Sequence, residues 1–93
     1  MITFRFIPEK RMSVAEDNGE NIAKCTWLDR GSYWEITHTY VNPNYRGQKI
    51  AEKILNMVID EARKAGKKIK PICSYAVRYM NDKREYDDIL IRE

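Results

Sequence analysis

A chain of 93 residues, 43% hydrophobic and 11% aromatic, has material for one modest core and none for a second domain. Its 17 Lys and Arg against 14 Asp and Glu leave a net charge of +3, too mild and interspersed to argue by itself for a nucleic-acid protein, and a small anionic ligand suits it better. Cys25 and Cys73 form no C-x-x-C pair and His38 is the lone imidazole, so reduced thiols and no zinc are expected. Met1 to Phe6 has no long apolar region, and no later run approaches the roughly 20 apolar residues that span a bilayer. The expectation is a cytoplasmic, soluble chain forming one domain over residues 1–93.

In chain order, Ile2 to Ile7 reads as a first strand, closed by Pro8 and the charged turn Glu9-Lys10-Arg11. Met12, Val14 and Glu16 alternate with polar neighbours up to Asn18-Gly19, a strong hairpin signal because both turn positions tolerate positive φ. In the third strand Ala23, Cys25 and Trp27 fall on one face, with Ile22, Lys24, Thr26 and Leu28 on the other, partly wet one. Asp29 to Ser32 supplies the next turn and Tyr33 to Val41 the fourth strand, making an antiparallel meander. Asn42-Pro43-Asn44 breaks the alternation. After Gly47, Ile50, Ala51, Ile54, Leu55, Val58, Ile59 and Ala62 recur at three- and four-residue intervals, an amphipathic helix that stops at Ala65-Gly66. Ile69 to Cys73 is expected as a fifth strand parallel to the fourth, interrupted by Pro71. Ser74 is expected to cap a short second helix through Met80, and Tyr86 to Ile91 to return over the core.

The chemical interest lies in Arg46-Gly47-Gln48-Lys49-Ile50-Ala51, which places a guanidinium and free backbone N–H groups at a helix start, a place suited to anions. This segment resembles the acetyl-coenzyme A loop of the GNAT N-acetyltransferase superfamily: Arg or Gln, two residues, Gly, one residue, Gly or Ala. The extended stretches H-T-Y-V-x-P-x-Y-R-G-Q and P-x-C-S-Y are similar to a minimal subfamily of about this length, the small GNAT-like acetyl-CoA-binding proteins. The resemblance implies an α+β fold with a mixed sheet of about five strands, in which a parallel pair splays to admit the pantetheine arm. It puts the backbone of Thr39 and Val41 against the thioester and pantetheine, and the N–H groups of Arg46, Gly47, Gln48, Lys49, Ile50 and Ala51 around the pyrophosphate. Lys49 departs from the pattern, standing where the family usually has Gly.

Three side chains are candidates for chemistry. Cys73 lies before a helix N-terminus, where the dipole favours thiolate, whereas Cys25 reads as a small buried hydrophobe. His38 is either a general base near the thioester or a structural histidine on a backbone carbonyl. Tyr79 is placed by the resemblance where relatives hold the tyrosine that protonates the leaving thiolate, or it packs its ring on the sheet. Glu35 is a reserve base, set opposite His38 by alternation unless a bulge intervenes. The function implied is an acetyl-CoA-dependent N-acetyltransferase acting on an unidentified amine or protein acceptor, directly or through Cys73, as a monomer or weak dimer. The alternatives are a non-catalytic acyl-CoA-binding module and, from composition, a small basic nucleic-acid-binding protein using Arg5, Lys10, Arg11, Lys24 and Arg30.

Overall fold

The computed structural model describes residues 1–91. Strands β1 (Ile2–Ile7), β2 (Met12–Asp17), β3 (Glu20–Asp29) and β4 (Tyr33–Val41) form an antiparallel meander. Helix α1 (Ile50–Lys64) carries the chain back to β5 (Lys68–Pro71), which lies parallel to β4, and α2 (Ser74–Asn81) follows. Strand order in the sheet is chain order, the mixed α+β arrangement the sequence implied. Asn18 (φ 51) and Gly19 (φ 86) both take the left-handed conformation that the β2–β3 turn requires.

One face of the sheet is covered. In the register Phe4, Ala15, Ala23 and Val41 stand in one row and Phe6, Ser13, Cys25 and Thr39 in the next. Against this face α1 buries Ile50, Ile54, Leu55, Val58, Ile59 and Ala62, the stripe that its three- and four-residue spacing creates. Buried Ser13 donates its hydroxyl to the Ile54 carbonyl at 2.7 Å, which fixes α1 over β2. Phe6, Trp27 and Trp34 stack along the same face with ring centroids 5.2 and 4.7 Å apart. The other face is largely left to solvent: Thr3, Arg5, Lys24, Leu28, His38 and Tyr40 are all exposed, while Val14, in the row of Arg5 and Lys24, is buried.

Two bulges change the faces that simple alternation assigns. The register slips at Ala15/Glu16, which leaves Ile22 as the extra residue of β3 and turns it into the core, so it is fully buried rather than on a wet face. It slips again at Thr26/Trp27, where Thr37 is the extra residue of β4. Beyond Thr37, Thr39 and Val41 take the covered face while His38 and Tyr40 take the exposed one. Glu35 and His38 therefore share the outer face instead of opposing each other.

The fifth strand is shorter than expected. It ends at Pro71, which has no N–H to continue the ladder, and the N–H groups of Ile72 and Cys73 both converge on the Ile36 carbonyl at 2.9 and 3.1 Å. From that point β4 continues from Thr37 to Val41 with no strand partner on the β5 side among the described residues. Cys73, not Ser74, is the N-cap of α2: its sulfur accepts the Ala76 N–H at 3.4 Å, and Ser74 is the first helical residue. The chain then returns beside β5, with Ile69 N–H donating to the Ile89 carbonyl and Ile91 N–H to that of Ile69, both at 2.8 Å. Tyr86 and Ile89 are buried by this return. No helix among the described residues is long and apolar enough to cross a membrane.

Candidate functional site

The site is built where β4 loses its neighbour. Asn42 closes the strand by accepting the Asn44 N–H on its side-chain oxygen at 2.9 Å, and Pro43–Tyr45 makes one tight turn. Gly47 (φ 85) and Lys49 (φ 61) then bring the backbone to the start of α1 in two left-handed steps. At Gly47 only a residue without Cβ adopts such a φ cheaply. No side chain caps α1 at Lys49, and the first helical bond runs from Lys53 N–H to the Lys49 carbonyl at 3.2 Å. The N–H groups of Ile50, Ala51 and Glu52 precede that bond and, with the positive end of the helix dipole, face outward for an anion.

A cavity of about 440 Å³ opens at this point. Of the residues expected to hold a cofactor, Thr39, Val41, Arg46, Gly47, Lys49, Ile50 and Ala51 line it, and Gln48 does not. Gln48 instead borders a second hollow along α1 with Lys53 and Asp60. Tyr45, Glu52 and Tyr75 complete the wall and went unnoticed in the sequence. Arg46 and Lys49 bring positive charge to one end; Val41, Ile50, Ala51 and the Tyr75 ring make the rest largely apolar. These residues fit a phosphorylated ligand with a long, weakly polar arm, which is the chemistry of coenzyme A.

Tyr45 anchors the loop. Its hydroxyl donates to Asp17 Oδ2 at 2.6 Å, and Asp17 also meets the amino terminus at 3.1 Å. The Tyr45 bond, then the amino terminus, hold the Asp17 carboxyl below its ordinary value. Because the folded value is lowered, this anchor is complete above the usual carboxylate range and is lost as pH falls through the lowered value. Tyr45→Phe is expected to loosen the loop at neutral pH, seen as faster amide exchange in Arg46 to Lys49. In wild type the same loosening should arise only in acid.

Lys49 adopts a left-handed conformation that glycine reaches without strain, so a side chain at this position carries a backbone cost. Lys49→Gly is expected to stabilise the fold by about 1 kcal/mol by removing that strain. It should also weaken acetyl-CoA binding roughly threefold at low salt, a loss that fades as salt screens the missing ammonium. Thermal melts with binding titrations at two ionic strengths separate the effects; tighter binding at every salt concentration would make the side chain an obstacle.

The three candidates for chemistry are not all brought together. Cys73 Sγ lies 3.4 Å from Thr39 Oγ1, which also donates to Cys25 Sγ at 3.7 Å, so Cys73 is half-buried directly behind Thr39 without itself lining the cavity. Burial pushes the Cys25 thiol up to about 12, in keeping with an inert core cysteine. His38 is exposed on the opposite face of the sheet from Thr39, because strand geometry turns neighbours apart; it does not stand beside Cys73. Tyr79 is drawn into structure: its hydroxyl accepts from Asn56 Nδ2 at 3.1 Å, the Lys83 ammonium sits 3.9 Å from its ring centroid, and Tyr86 donates to Asn56 Oδ1 at 2.8 Å. The tyrosine at the cleft is Tyr75, stacked on Tyr79 at 5.8 Å. Burial first, then Tyr79, Glu52 and the two cysteines, hold its hydroxyl above the ordinary value, so it keeps its proton at neutral pH.

A meander, a helix starting in an anion loop and a parallel pair that parts beside it define the α+β class of GNAT folds. The chain belongs to the GCN5-related N-acetyl-transferase family, whose sequence profile matches residues 11–89. It is similar to a GCN5-like protein from Staphylococcus aureus, with a TM-score of 0.78 at 22% identity over 98% of this chain and 89% of that one. It is also similar in fold to an N-acetylglutamate synthase from Neisseria gonorrhoeae, a structure holding coenzyme A and N-acetyl-glutamate, with a TM-score of 0.66 at 19% identity over 77% of this chain and 18% of that one. Among curated proteins it is 34% identical over 61 residues to the L-amino acid N-acyltransferase MnaT of Escherichia coli strain K12. That match covers 60% of this chain and little more than a third, 36%, of the relative.

Proposed function

We propose that this chain is an N-acetyltransferase that takes acetyl from acetyl-CoA as donor substrate and delivers it to an amine. The observation that carries the reading is the cleft between the free length of β4 and the start of α1, lined by the cations Arg46 and Lys49 beside the free helix start and by Thr39 and Tyr75, with Cys73 behind Thr39 at 3.4 Å. Phosphates at Arg46 and Lys49 leave the arm to lie along Val41 and Thr39, whose backbone has no strand partner on that side. The thioester then comes to the level of Thr39, Cys73 and Tyr75. Tyr75 holds a proton there for a departing sulfur.

The acceptor comes from the uncovered face of the sheet. Glu35, paired with Arg30 at 3.0 Å, and exposed His38 stand on that face, and either is chemically able to take a proton from an incoming ammonium. Two routes fit the cleft: direct attack of the amine on the thioester, or transfer first to Cys73 Sγ and then to the amine.

The test is a titration with acetyl-CoA, coenzyme A and an unrelated nucleotide, followed by amide shifts, together with a turnover assay on a panel of amines and peptides. Shifts clustered at Thr39 to Val41 and Arg46 to Ala51, with release of free coenzyme A in the presence of an amine, support the reading. Shifts confined to the β1–β2 hairpin would overturn the site. Binding at the cleft with no turnover of any amine would leave a module that holds acyl-CoA.

A further inference from the structure

Thr39 is the meeting point of the two cysteines. It pairs with Cys25 across β3 and β4, its hydroxyl donates to Cys25 Sγ at 3.7 Å, and the same oxygen lies 3.4 Å from Cys73 Sγ on the other side. Cys73 Sγ has one further partner, the Ala76 N–H at 3.4 Å, which it accepts as the cap of α2. Cys25 is fully buried and Cys73 only partly so. A hydroxyl carries a single hydrogen, so Thr39 serves one sulfur as donor at a time.

We propose that Thr39 is a positioning residue for Cys73, passing its single hydrogen bond from Cys25 to Cys73 when Cys73 becomes a thiolate. In the resting state the Cys73 S–H donates to Thr39 Oγ1 and the Thr39 O–H donates to Cys25 Sγ. When the Cys73 S–H bond breaks and its proton leaves to water, which the half-buried sulfur can meet, the electron pair stays on sulfur. The Thr39 hydrogen then rotates to it, and Cys25, which keeps its proton because burial disfavours the charged form, turns its own S–H to Thr39 Oγ1. The thiolate ends with two donors, Thr39 O–H and Ala76 N–H, and only hydrogens have moved. Strand pairing holds Cys25 and Thr39 in place, so the hydroxyl is aimed before the charge arises. Cys25 thereby has a use beyond filling the core: it parks the Thr39 hydrogen while Cys73 is neutral.

The proposal rests on the reading of Cys73 as the reactive group of the cleft, and its test needs neither acetyl-CoA nor turnover. The rate of Cys73 alkylation by iodoacetamide at neutral pH is read by mass spectrometry in wild type, Thr39→Ser, Thr39→Ala and Thr39→Val. Wild type and Thr39→Ser should react at similar rates, faster at Cys73 than at Cys25. Thr39→Ala and Thr39→Val should each react about tenfold more slowly, the loss that removing a hydrogen bond to a charged group brings. The alanine variant guards against a change in access, since it widens the cleft and would react faster if access governed the rate. It also replaces the valine variant should that one fail to fold. Wild-type rates in Thr39→Ala, or slow reaction in Thr39→Ser, would overturn the proposal. Fast alkylation at Cys73 with the expected hierarchy, but no acetyl transfer in any assay, would leave Thr39's role standing and sink the transferase reading instead.

Discussion

Replacing Tyr75 with Phe will slow acetyl transfer by about a hundredfold, the low end of what a positioned proton donor contributes, while leaving acetyl-CoA affinity and the fold nearly unchanged. Tyr75 is the tyrosine of α2 whose side chain lines the cleft, and among the described residues its hydroxyl is assigned no hydrogen bond. It lies two positions after Cys73, so the helix that Cys73 caps also aims Tyr75. Burial keeps that hydroxyl protonated, as a donor requires. Tyr79→Phe is the informative contrast. It deletes an oxygen that Asn56 uses at 3.1 Å, while the ring keeps its stacking on Tyr75 and its contact with Lys83. It should cost about 1 kcal/mol of stability and change transfer little. Measured kcat, Kd for acetyl-CoA and melting temperature for the two variants decide the matter. Loss of turnover in Tyr79→Phe with normal turnover in Tyr75→Phe would return the proton to Tyr79.

That Tyr75 and not Tyr79 lines the cavity shows how far the sequence was legible. Strand and helix identities follow from local patterns, and β1, β2 and β4 run where alternation and turn residues put them. The cationic wall of the cavity was equally legible, because Arg46, Gly47 and the start of α1 lie within six consecutive residues. The reactive end was not. It depends on where β5 stops, and that is set by Pro71 together with the two hydrogen bonds that the Ile72 and Cys73 N–H groups donate to the Ile36 carbonyl, with Cys73 then capping α2. Tyr75 and Tyr79 lie four residues apart, about 40° around the helix and about 6 Å along it, so the two stacked rings share one face and the earlier one meets the cavity. Which face His38 shares with Glu35 was open for a related reason: one extra residue, Thr37, reverses every face beyond it, and no composition signal marks that bulge. Tyr45's tie to Asp17 crosses 28 positions and has no local signature at all.

The second large effect is on stability, and it separates the scaffold from the chemistry. Ile54→Ala is expected to cost about 2–5 kcal/mol, because the side chain is fully buried and its removal leaves a cavity between α1 and the sheet. A domain of this size has only about 5–15 kcal/mol in total, so the variant should melt roughly 10–30 °C lower. Ile54→Val removes one methyl at the same place and should cost about 1 kcal/mol, a graded response that distinguishes packing from any chemical role. Ser13→Ala probes the same contact from the sheet side. It removes the hydroxyl that reaches the Ile54 carbonyl at 2.7 Å, while that carbonyl keeps its place in the helix ladder, so a loss of about 1 kcal/mol is expected. Below their melting temperatures all three variants should bind acetyl-CoA nearly as wild type, since Ile54 and Ser13 lie outside the cleft wall. Affinity that falls in step with stability across the series would mean that α1 and its phosphate loop loosen together before the fold melts. In that case the anchor at Tyr45 and Asp17 does not hold the loop by itself, and the start of α1 depends on the core beneath it.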